Sequence, residues 1–188
     1  MDAFSYLSVP ISIILGLAIT ELLLRTGRLI QCRDRVTLFW PPLLWTALLL
    51  LTAIQSWWAL FGLRKFESWT FPAFLVVLLH PIAIVLMAAL VLPDREEFSH
   101  GQVDLRVHYF RQARWFFLVL ILTILASLAR PLVLFGAFKL NLDVEIQGFL
   151  LGLAGLAVYI RAAWYHRFVA LVFAVTICAY IGLLFMQL

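Results

Sequence analysis

The chain has 188 residues, of which 65% are hydrophobic and only 13% charged, and its mean hydropathy is +1.05. Soluble domains hold about 45–50% apolar and about 25% charged residues, so this composition excludes a soluble protein and points to one embedded in a lipid bilayer. The net charge of +4 does not indicate a nucleic-acid partner, because basic residues in membrane proteins chiefly set orientation.

A spanning helix needs about 20 mostly apolar residues. By that rule the chain divides into six segments: 4–30, 38–63, 69–92, 115–138, 145–164 and 168–188. The expected fold is therefore one all-α domain over residues 1–188, with six transmembrane helices. The opening MDAFSYLSVP lacks a basic n-region and a small-residue cleavage site, so the first segment is expected to remain in the mature protein.

That first segment carries Glu21 well inside an apolar run. An acid in hydrocarbon must be paired, protonated or turned toward water. Arg25 follows at i+4, the favourable order for an intrahelical pair. Ser12, Gly16 and Thr20 recur at four-residue spacing, a pattern that lets membrane helices approach closely. In the fifth segment Gly148, Gly152 and Gly155 form a comparable face. Contact between the two faces would bring Arg161 toward Glu21. Glu21 is thus expected to pair with Arg25 or Arg161, or else to belong to an ion or proton path.

The second segment contributes Gln55, and the third and fourth contribute His80-Pro81 and Arg130-Pro131. A helical proline lacks an N–H and frees the carbonyl four residues back, here on Val77 and Ser127. Each dipeptide therefore predicts a kink beside an exposed polar site, tolerated in a membrane only against protein or a water-lined cavity. His80 is expected to bond its own preceding turn, and Arg130 to hold Gln55 and loose carbonyls. The alternative is that Glu21, Gln55, His80 and Arg130 line a path for an ion or polar solute.

The connection 93–114 begins acidic and ends basic. Its first half reads as a solvated loop. Its second half reads as an amphipathic stretch that lies in the interface or extends the fourth helix. His100 and His108 have no third ligand and read as solvated, so no metal site is expected. His166 belongs to the inner edge. Ten of the 14 basic residues fall in or beside the first, third and fifth connections, which makes those cytoplasmic and turns both termini outward. Trp40, Trp115 and Trp164 at one edge, with Trp57, Trp58 and Trp69 at the other, read as interfacial anchors. Cys32 and Cys178 are too far apart in depth for a disulfide.

Nothing in the chain has the spacing of a catalytic triad, a carboxylate pair or a phosphate-binding loop, and His80 has no second histidine at its level to hold a haem. An enzyme and a cofactor are not expected. The stretches FSYLSVPISIILGLAITELL, LFWPPLLWTALLLL with WWALFGLR, and HYFRQARWFF resemble an uncharacterised family of small multi-pass bacterial inner-membrane proteins. The resemblance implies an inner-membrane, six-helix protein and supplies no activity. Two functions follow as expectations. One is binding or conduction of a small ion or polar solute. The other is an accessory or scaffold role, as a homo-oligomer or beside a membrane partner protein.

Overall fold

A computed structural model describes residues 3–65, 69–99, 101–135 and 141–184. It is about 89% helical, with six helices long and apolar enough to cross a membrane. These are α1 (Ala3–Gln31), α2 (Trp40–Ala59), α3 (Phe71–Val91), α5 (Leu105–Phe135), α6 (Leu142–Tyr159) and α7 (Ala163–Leu184); a short α4 (Arg95–Ser99) precedes α5. Two brief strands, β1 (Val36–Thr37) and β2 (Val103–Asp104), pair in parallel with Val36 opposite Val103. The strands lie just before α2 and α5, so they mark one end of the bundle, hereafter the strand end.

Several boundaries follow from local chemistry. Pro41 and Pro42 open α2, where the first-turn N–H groups have no intrahelical partner to lose. Asp104 accepts the backbone N–H groups of Arg106 and Val107. This cap starts α5 ten residues before Trp115, so the basic stretch 105–114 extends the fourth helix. Asn141 caps α6 by accepting the Val144 N–H at 3.0 Å. The fifth and sixth segments meet at a break over residues 160–162, not at 165–167. Helices α3 and α5 continue through Pro81 and Pro131 without a break.

The small-residue faces do not pack within the chain. On α1 the buried stripe is Ile11, Leu15, Ala18 and Leu22, while Gly16 and Thr20 are exposed and Ser12 is only partly covered. On α6 the buried residues are Leu150, Ala154 and Ala157. Among the described residues, a Cβ added at Gly16, Gly148, Gly152 or Gly155 would meet nothing within 4 Å. The expectation that these faces join α1 to α6 is therefore corrected. The buried stripes are themselves mixed in size, with Ala18 on α1 and Ala154 and Ala157 on α6 beside their leucines, while Leu17, Phe149 and Leu156 face outward.

An aromatic core fills the middle and the strand end. Trp45 lies 5.1 Å from Phe116 and 5.1 Å from Phe173, centroid to centroid. His166 is fully buried beside it. Its Nε2 donates to the Ile160 carbonyl at 2.8 Å, which leaves Nδ1 to accept the Tyr109 hydroxyl at 3.0 Å. The acidic half of the 93–114 connection is not a free loop. Glu97 binds buried His108 at 3.0 Å and Arg111 at 2.6 Å, and His108 also contacts the Leu90 carbonyl. His108 is thus a packed, bonded residue, whereas His100 lies outside the described residues.

Candidate functional site

The end of the bundle opposite the strands holds a cavity of about 370 Å³. Its wall draws on the first part of α1, the middle of α3, the start of α6 and the last parts of α2, α5 and α7, as alternating helix directions require. Ile11, Leu15, Leu60, Val77 and Leu150 give it an apolar lining. Gln55, His80, Ser127, Arg130, Asp143, Gln147, Thr176 and Tyr180 add polar groups. The volume is within the range of about 300–1,000 Å³ usual for small-molecule sites. Three of the four path residues expected from sequence, Gln55, His80 and Arg130, meet here. So do Val77 and Ser127, the residues four positions before the two helical prolines.

Arg130 is the unusual member. Among the described residues its guanidinium has no hydrogen bond and no ion pair. Its Nε is sealed from solvent without a partner. The two terminal nitrogens have no hydrogen-bond partner among the described residues either, and Arg130 lines the cavity. A guanidinium cannot discard its charge, and an obligate charge in so apolar a wall needs an acceptor. Gln55 does not provide one, which corrects the expected Arg130–Gln55 tie.

His80 is held by Ser56, not by its own preceding turn. The Ser56 hydroxyl donates to the Thr52 carbonyl at 2.6 Å, so His80 Nε2 donates to Ser56 Oγ at 3.0 Å and Nδ1 is left as an acceptor. The acid of the cavity is Asp143, which lies two residues before the fifth segment expected from sequence and was not singled out there. The Asn141 cap places it in the first turn of α6, and Gln147 Nε2 donates to its Oδ2 at 2.8 Å. Tyr180 stands against both Asp143 and Arg130. Arg130 and Asp143 therefore face one cavity with opposite charges and do not close on each other. Asp143 and Gln147 stand at i and i+4 beyond a capping Asn. That spacing was the available signal for an inward polar pair.

Glu21 lies elsewhere. Its Oε1 accepts Arg25 Nε at 2.6 Å. Arg25 also donates from Nη1 to the carbonyl of Leu92, the residue that ends α3. This three-part clamp binds α1 to α3 near the strand end and does not touch the cavity. Arg161 is exposed in the break between α6 and α7 and has no contact with Glu21. No group of three or more metal-ligating side chains occurs among the described residues.

Comparison with known proteins adds no relative: no family model, curated protein or solved structure matches the chain.

Proposed function

We propose that this chain is a multi-pass protein of the bacterial inner membrane, with both termini outside, that binds or conducts a small polar solute through the Arg130 cavity. The observation that carries the reading is a guanidinium lining a largely apolar cavity with no partner among the described residues. An anionic group such as a carboxylate would supply the missing acceptors, and Asp143 across the cavity favours a solute that also carries a donor. His80 and Gln55 would orient it.

The test is uptake or binding of small carboxylates and zwitterions by the protein in liposomes, compared with Arg130→Gln. A hydrogen bond to a charged group contributes about 1.5–3 kcal/mol, so the variant should bind about 10- to 100-fold more weakly. Because Arg130 bonds nothing among the described residues, the variant should melt with the parent. A parent that binds and moves none of these solutes, or a variant that loses stability with solute handling unchanged, would refute the reading.

A second reading, an accessory or scaffold subunit, draws on the outward faces at Gly16, Gly148 and Gly152. Open small-residue faces suit close approach by another helix, from a second copy or from a membrane partner. Persistent co-purification with one partner and no solute response would favour it.

A further inference from the structure

A second concavity lies at the strand end, distant from the Arg130 cavity. It is an open groove of about 500 Å³ lined by Arg106, Val107, Phe110, Arg111 and Arg161. The first four occupy positions i, i+1, i+4 and i+5 of α5 and so share one face. Arg161 comes from the break between α6 and α7, and the His166 bond to Ile160 holds that break against α5. Three guanidinium groups thus converge from two parts of the chain. Glu97 engages Arg111 at 2.6 Å, whereas Arg106 and Arg161 form no ion pair among the described residues. Asp104, the other nearby acid, is turned to the backbone N–H groups at the start of α5.

The surroundings decide between a solvated basic face and a binding site. Val107 in the groove is 64% exposed, and Trp164, three residues beyond Arg161, is 69% exposed. Apolar and aromatic surface mixed with arginine has the character of the lipid headgroup zone. Guanidinium groups take phosphate oxygens in pairs, and basic pockets between membrane helices suit anionic headgroups. We infer that this groove binds the phosphate of an anionic phospholipid, with Arg106 and Arg161 as its principal contacts and Val107 and Phe110 against the first part of an acyl chain.

The experiment measures retention of phosphatidylglycerol and phosphatidylcholine by the detergent-purified protein, using native mass spectrometry. Arg106→Gln, Arg161→Gln and their double variant are compared with Arg64→Gln, an exposed arginine at the other end. Both target arginines are exposed and their side chains have no partner among the described residues, so folding should be kept, as melting curves will check. The parent should prefer phosphatidylglycerol, and each target substitution should lower that preference about fivefold. Arg64→Gln should leave it unchanged. Equal retention of the two lipids, or an equal loss in Arg64→Gln, overturns the site. Displacement of phosphatidylglycerol by inorganic phosphate at millimolar concentration would identify a free anion as the occupant and overturn the lipid.

Discussion

Replacing Glu21 by Leu tests the clamp that joins α1 to α3. Arg25 is 12% exposed and Glu21 35% exposed, so the pair sits between two known limits. Exposed pairs contribute about 0.2–1 kcal/mol, and removing one partner from a buried pair costs about 3–5 kcal/mol. A loss of about 2 kcal/mol is expected, because Arg25 keeps its bond to Leu92. Arg25→Leu removes that bond too and orphans the Leu92 carbonyl, at about 1–3 kcal/mol for the carbonyl alone. The double variant loses the carbonyl's donor but leaves no stranded charge. Its total should fall short of the sum of the single losses by about 2 kcal/mol. Equilibrium unfolding in mixed detergents measures each term. At about 2–4 °C per kcal/mol, Glu21→Leu should melt about 4–8 °C below the parent. Pairing Glu21→Leu with Arg161→Leu should give simple additivity. A stable Glu21→Leu variant, or coupling to Arg161 in place of Arg25, would refute the argument.

Two further outcomes are expected. Gly152→Ala should stabilise α6 by about 0.5–1 kcal/mol through helix propensity, since its Cβ has open space; a loss measured by unfolding would mean that another helix occupies this face. A membrane-impermeant maleimide should label Cys32 in inside-out vesicles and spare it in sealed right-side-out ones, and labelling in the opposite sense would reverse the proposed orientation.

Hydropathy made the six helices legible, because a run of apolar residues needs no neighbour to declare itself. The start of α5 was less so: its basic stretch is helical because Asp104 caps it, a contact that depends on where the chain turns. Gln55, His80 and Arg130 could be singled out as polar groups in apolar segments, and rise per residue put Gln55 and Arg130 at similar depth. Asp143 was missed because an acid beside a helix start looks solvated until another helix covers it. The glycine faces misled for a related reason. Spacing defines a face, but which face turns inward is decided by where the neighbouring helices lie, and α6 buries Ala154 and Ala157 in place of its glycines. Burial of His108 likewise required Glu97 to fold back, which no local pattern announces.

The pairing of β1 with β2 has a mechanical consequence. It fastens together the points from which α2 and α5 set out, and the Arg25 clamp adds a second fastening close by. Helices tethered at one end behave as levers. At a rise of 1.5 Å per residue, the 20 residues of α2 give an arm of about 30 Å. A rotation of 5° about the tether would carry its far end by about 2.6 Å on that geometry. The same rotation would scarcely displace the arginine groove. Any such rotation would therefore be felt most around Gln55 and Arg130, with the pinned end as its fulcrum.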